Sequence, residues 1–321
     1  MTGGLTRAGA SSVPQTEKGT RTRCRASSER RQAPRDPPGP ATRRRAPDEP
    51  PRRRHGTGRA GPGGSGAKQF WDLLSSGRTA TRSITSFDAS SCRSQVAGEI
   101  DFDPVAEGLS ARQIRRMDRA AQFAVVCARE AAADSGLSFE EIRPERIGVS
   151  VGSAVAAAMS LEREYRVLSD QGREWEIDPS YLSPHMFDHM VPSIIGAEVA
   201  WTVGAEGPVT VVSDGCTSGL DSVGYACRLI QEGSADVVLT GATDTPLTPI
   251  VAACFDAIKA TTPRNDDAEH ASRPFDLSRN GFVLAEGAAM FVLEEYGSAV
   301  RRGPGSTPRS AATRPASTLT T

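Results

Sequence analysis

From about residue 65 onward, apolar and polar positions sort into helical and extended stretches that alternate along the chain. AKQFWDLLSSG (67–77) reads as a short helix stopping at Gly77, and SITSFDASS as a loop. Residues 111–136 predict one long helix. Ile114, Met117, Ala121, Val125 and Ala132 form an apolar stripe near helical spacing, and Gly136 stands where a C-terminal cap belongs. RIGVSVGS (146–153) predicts a buried strand and residues 154–168 a further helix. A long irregular stretch through YLSPHMFDHMVPS leads to a helix near 193–203. GPVTVVS predicts a strand, LDSVGYACRLIQEG a helix, ADVVLTGA a strand and PIVAACFDAIKA (249–260) a helix. GFVLAEGAAMFVLEE reads as the two arms of a β-hairpin. Alternating strands and helices predict an α/β layered fold with a partly parallel sheet. The loop between about Asp170 and Pro192 is long for a compact domain, as functional or interface loops often are.

Composition narrows this picture at the ends. The first sixty residues hold almost no aliphatic side chains and are crowded with Arg, Pro, Ser and Gly, and the stretch from Gly303 onward is similar. Such segments bury too little apolar surface to offset the entropy of ordering. The expected organisation is therefore a disordered basic segment over 1–64, a globular domain over 65–302 and a disordered tail over 303–321. The net charge of −1 hides a basic N-terminal arm and an acidic middle. A basic arm can serve nucleic acid or an anionic membrane. Here no aromatics interleave the charges, which favours arginine arising from a GC-rich coding sequence and no nucleic-acid or membrane partner. No run approaches about 18 apolar residues and no apolar leader opens the chain, so a cytoplasmic protein is expected.

The six cysteines are scattered without CxxC spacing, which argues against a zinc site or a disulfide framework. Cys127, Cys227 and Cys254 fall inside helical apolar patterns and are expected in the core, while Cys24 and Cys92 receive no role. Cys216 is different. It stands in VTVVSDGCTSGLDSVG (209–224), where a β-branched strand meets a Gly-flanked turn and then a helix. Leu220, Val223, Cys227 and Ile230 share one helical face expected to pack on the sheet, leaving Cys216 at the turn. A helix N-terminus favours a thiolate, and its N–H groups suit a developing oxyanion. The competing reading is a small buried residue beside two glycines. Spacing alone does not choose between them.

The segment VTVVSDGCTSGLDSVGYA resembles the nucleophile region of β-ketoacyl synthases, specifically the ketosynthase α subunit of bacterial type II (aromatic) polyketide synthases. FWDLLSSGRTATRSITSFD, IRRMDRAAQFAVVCAREAAADSG, RIGVSVGSAV, CFDAIKATTPRNDDAEHASRPFD and RNGFVLAEGAAMFVLEE resemble the same family in order, across about residues 65–301. The resemblance implies a thiolase-like αβαβα sandwich, of which the N-terminal half is present. It implies Cys216 as acyl-accepting nucleophile in a decarboxylative condensation of malonyl and acyl thioesters. The implied partners are an acyl carrier protein and a chain-length-factor ketosynthase β subunit forming a heterodimer. The β subunit lacks the cysteine, so Cys216 favours the α subunit. No metal or redox cofactor is implied, because the phosphopantetheine arm belongs to the carrier protein.

The sequence also departs from the family. Its catalytic histidines, in an HGTGT-type and a later Gly-His motif, have no counterpart here, nor do its Gly/Phe-rich oxyanion loop and its downstream lysine. HGTG at His55–Gly58 precedes the nucleophile and is read as coincidence. His270 is expected to be structural at the surface, and His185 and His189 to serve surface or interface packing. Ala285 replaces a family glycine, which would strain the turn if φ there were positive. Residues 1–60 and 303–321 are expected to be frame-shifted versions of family sequence, testable by translating the encoding DNA in its other frames. The expectation is thus a polyketide ketosynthase impaired in condensation. The alternatives are a fatty-acid condensing enzyme or thiolase, or a non-catalytic interaction protein or defective gene product; a cysteine hydrolase is least favoured.

Overall fold

The computed structural model describes residues 53–61, 64–156, 158–174, 178–302 and 309–310, all within one compact unit that runs from Glu49 onward. Its main sheet has the order β10-β1-β9-β7-β5-β6, where β1 is Arg53–Gly61, β5 Ile147–Gly152, β6 Val209–Val212, β7 Val237–Asp244, β9 Gly287–Glu294 and β10 Arg309–Ser310. A two-residue strand β2 (Gly64–Ser65) pairs with β1. The central strands β5, β6 and β7 run parallel, and β9 runs antiparallel between β7 and β1. A small sheet joins β3 (Arg82–Ser83), β4 (Val96–Gly98) and β8 (Leu284–Ala285).

Helices cover both faces of the main sheet. In chain order they are α1 (Ala67–Ser75), α2 (Ala111–Arg116), α3 (Arg119–Ser135), α4 (Ala158–Leu168), α5 (Met186–Met190), α6 (Ser193–Val203), α7 (Ser218–Gln231), α8 (Pro249–Ala257) and α9 (Tyr296–Arg301). Side chains alternate across a strand. Val237 and Leu239 of β7 therefore join α3 and α6 in the larger core, whereas Val238 and Leu293 face α7 with Ala226, Leu229 and Ile230. Every residue of β5 is buried, as its unbroken apolar pattern predicts.

Several expectations change in the structure. The long helix over 111–136 breaks at Met117, whose backbone is extended (φ −102°, ψ 134°). Two N-terminal caps compete within the one stripe. Ser110 and Gln113 form a capping box for α2, and Asp118 accepts from the Ala120 N–H (2.9 Å) to start α3. Gly136 closes α3 in the left-handed region (φ 65°), as expected. GFVLAEGAAMFVLEE is not a hairpin: β8 pairs with β4 and β9 with β7 and β1. The chain changes sheets at buried Glu286, whose N–H donates to the Gly98 carbonyl. Ala285 lies in β8 without a positive φ, so the expected strain does not arise.

The reading of residues 1–64 as disordered is corrected over Arg53–Gly61 and Gly64–Ser65. β1 runs beside β9 from Arg53 opposite Glu294 to Ala60 opposite Ala288. Pairing uses main-chain groups, which a Gly/Arg-rich segment supplies as well as an apolar one. Arg309–Ser310, in the segment read as a disordered tail, pairs with β1 in turn. The rest of those two segments, Cys24 included, lies outside the described residues.

Candidate active site

β6 ends at Val212, and residues 213–217 turn the chain into α7. The turn is closed by its own side chains. The Ser218 hydroxyl donates to the Gly215 carbonyl (2.6 Å) and accepts from the Asp214 N–H (3.1 Å). Gly215 has φ +86°, a left-handed conformation that costs glycine little. Gly219 lets the first turn of α7 approach β7, since an added Cβ would sit 2.9 Å from the Ala242 methyl.

Cys216 is exposed and lies one residue before the helix N-cap, Thr217. Its backbone N–H makes no hydrogen bond among the described residues. A thiol and an unengaged N–H therefore occupy the start of a fourteen-residue helix, where negative charge is favoured. This arrangement suits covalent acyl transfer: a sulfur to attack a carbonyl carbon, and a donor for the oxygen that becomes charged.

The other cysteines are placed differently. Cys127 and Cys227 are buried, as their patterns predict. Cys254 is exposed, a correction: α8 turns Val251 and Ala252 inward and leaves Cys254 on its outer side. Cys92 is half-buried. Burial first, and the carboxylates of Asp256 and Asp88 next, push its thiol up, which makes it a poor nucleophile at neutral pH.

The helical face assigned to packing is also revised. Cys227 and Ile230 are buried and Val223 partly so, but Leu220 is 79% exposed. The face of α7 on the sheet is centred on Ala226, well round the helix from Leu220.

Neither His185, His189 nor His270 makes a hydrogen bond with Cys216. His55 lies in β1, where the register with β9 shifts between His55 and Thr57. His270 is exposed, with Nδ1 2.7 Å from Asp267 Oδ1, and this hydrogen bond chiefly holds the Asp267 carboxyl below its ordinary range. His185 faces Asp188 at 3.6 Å. His189 is buried rather than superficial: its Nε2 donates to the Arg115 carbonyl (3.2 Å), while Nδ1 is buried without a partner. It lines a cavity of about 430 Å³ with Gln122, Ser160 and Arg163. A second cavity, about 420 Å³, is lined by Phe70, Asp244 and the β8–β9 junction. Cys216 lines neither.

A carboxylate beside the cysteine turn escaped the sequence reading. Asp244, at the end of β7, accepts from the Ser153 hydroxyl (3.0 Å) and from the N–H groups of Ala154 (2.9 Å) and Val155 (2.9 Å). The signal was an acidic residue ending an apolar strand in LTGATDT, a position where a carboxylate needs several donors.

The described residues contain no group of three His, Cys, Asp or Glu side chains able to hold a metal, and no helix among them is long and apolar enough to cross a membrane. Residues 55–299 match the family model "Beta-ketoacyl synthase, N-terminal domain". The granaticin polyketide putative beta-ketoacyl synthase 1 of Streptomyces violaceoruber is 71% identical over 248 residues, 77% of this chain and 59% of that protein. A solved type II PKS acyl-carrier protein in complex with its ketosynthase bound to the hexaketide superposes with a TM-score of 0.70 at 32% identity, covering 79% of this chain and 60% of that one. The ishigamide ketosynthase/chain length factor gives 0.68 at 27% identity, covering 79% and 61%. The chain thus spans about three fifths of the length of these proteins.

Proposed function

The chain belongs to the β-ketoacyl synthase family, and we propose that Cys216 is its acyl-accepting nucleophile in polyketide chain extension. The single observation that carries this reading is the exposed thiol, with an unengaged N–H, at the Gly-flanked junction of β6 and α7. The 71% identity to a polyketide synthase supports the polyketide reaction over fatty-acid condensation or thiolysis.

In the first half-reaction the Cys216 thiolate attacks the acyl carbonyl of a carrier-bound thioester. A new C–S bond forms, the carrier's C–S bond breaks, and the carrier thiol leaves with the proton that Cys216 gave up. In the second, a malonyl thioester loses CO₂, and the electron pair of the broken C–C bond becomes an enolate. The enolate attacks the Cys216 thioester, a C–C bond forms and the Cys216 thiolate is released. A thioester holds the chain while keeping its carbonyl electrophilic, which suits cysteine to the role. Phosphopantetheine enters as part of the carrier protein substrate. The two solved neighbours, one with an acyl-carrier protein and one with a chain length factor, support those two partners for this chain.

Incubating the full chain with an acyl-carrier thioester and locating the adduct by peptide mass spectrometry tests the reading. The expected mass increase falls on Cys216. An adduct shared evenly with Cys254, or none, overturns it in favour of a non-catalytic protein.

A further inference from the structure

The loop after β5 is held by a single carboxylate reaching across from β7. Asp244 Oδ1 accepts the Ser153 hydroxyl at 3.0 Å, the Ala154 N–H at 3.0 Å and the Val155 N–H at 2.9 Å, and Oδ2 accepts the Ala154 N–H at 2.9 Å. Ser153 in turn takes the N–H of Ala156 on its hydroxyl (3.0 Å). The successive N–H groups of Ala154 and Val155 thus converge on one carboxylate, the kind of backbone cup that binds anions, and here the anion is a side chain of the protein itself. Ala156 pays for this shape with φ +44°, the left-handed region that residues with a Cβ seldom occupy.

This loop adjoins the nucleophile turn. Gly152 pairs with Val212, and the Ser153 N–H donates to the Val212 carbonyl (3.0 Å), so the β5 and β6 exits leave the sheet side by side. The first turn of α7 rests on Gly152, where an added Cβ would come within 2.6 Å of the Gly219 nitrogen. The 153–156 loop is therefore the wall next to the turn that carries Cys216, and its shape depends on Asp244.

We propose that Asp244 is a positioning residue for acyl transfer to Cys216: by pinning residues 153–156 it shapes the wall against which the incoming acyl group lies. It touches no reacting atom. The inference rests on the reading of Cys216 as nucleophile. Small displacements of a wall beside a reacting centre lower rates on the order of tenfold to a hundredfold, without altering the thiol.

The test uses the full chain and the variants Asp244→Asn and Ser153→Ala, the second a milder lesion should the first fail to fold. Two rates are followed at Cys216 by mass spectrometry: acylation by the N-acetylcysteamine thioester of hexanoic acid, and alkylation by iodoacetamide, which needs no acyl wall. For folded Asp244→Asn the expected result is acylation slower by about tenfold with alkylation changed by less than about twofold. Ser153→Ala moves the same way by a smaller factor. Equal acylation in both variants and the parent overturns the proposal, and so does a parallel fall of both rates, which marks a merely structural role. Absence of acylation in the parent chain overturns the nucleophile reading, and this proposal with it, and is a distinct outcome.

Discussion

Gly152, the last residue of β5, lies directly beneath Ser218, the first residue of α7: a methyl group added to Gly152 would fall well under 3.0 Å from the Ser218 carbonyl. Backbone, not a flexible side chain, occupies that space, so the helix itself has to move to admit any larger residue.

Gly152→Ala is therefore expected to displace the start of α7 and, with it, the turn that carries Cys216. Overpacking of this kind costs about 1–3 kcal/mol. Denaturant unfolding measures the loss, and peptide mass spectrometry reads an accompanying drop in thioester acylation of Cys216. Unchanged stability and acylation would show that the contact is not tight.

Cys216 and Cys254 are both exposed, so iodoacetamide is expected to modify both. An acyl thioester should select Cys216 by about a hundredfold, because Cys254 lies on the outer side of α8 away from a helix start. Cys216→Ala should abolish the acyl adduct, and Cys254→Ala should leave it intact.

Glu99 is buried beneath the 82–86 segment. Burial pushes its carboxyl up, but hydrogen bonds from Thr85 (N–H 2.8 Å, hydroxyl 2.7 Å) and the Ser86 N–H (2.9 Å) outweigh it and hold the group below its ordinary range. A carboxyl held low when folded adds stability above its unfolded pKa, about 4.3, and loses it as pH falls through the lower folded value. Glu99→Gln should cost about 1–3 kcal/mol at neutral pH. The gap from the parent should shrink steadily below about pH 4 in urea titrations. A gap independent of pH would contradict the assignment.

Arg119 reaches from α3 to Glu286, where the chain changes sheets, with Nη2 2.8 Å from Oε2 and 2.7 Å from the Ile100 carbonyl. Glu286 is buried, so Arg119→Met strands a charge and should cost about 3–5 kcal/mol. Adding Glu286→Gln should restore much of that loss. A double-mutant cycle measures the coupling, and strictly additive effects would refute the pairing.

The order and type of most elements are legible in the sequence because local periodicity dictates them. β5, β6, β7, α6 and α7 all fall where apolar spacing puts them, and Gly136 and Gly215 mark the turns that glycine permits. The turn holding Cys216 is legible for the same reason: strand, glycine, cysteine and helix are consecutive. Features set by competing caps or by long-range pairing are not legible in this way. The split at Met117 depends on two caps within a single apolar stripe, and β8 and β9 part because β8 finds β4, far earlier in the chain, rather than its neighbour. β1 exists because the edge of β9 offers backbone partners, which composition cannot reveal. Likewise the sequence determined which cysteine stands at a helix start. Only the tertiary structure decided that Asp244 holds the loop beside it, because a carboxylate meets donors ninety residues away only once two parallel strands lie side by side.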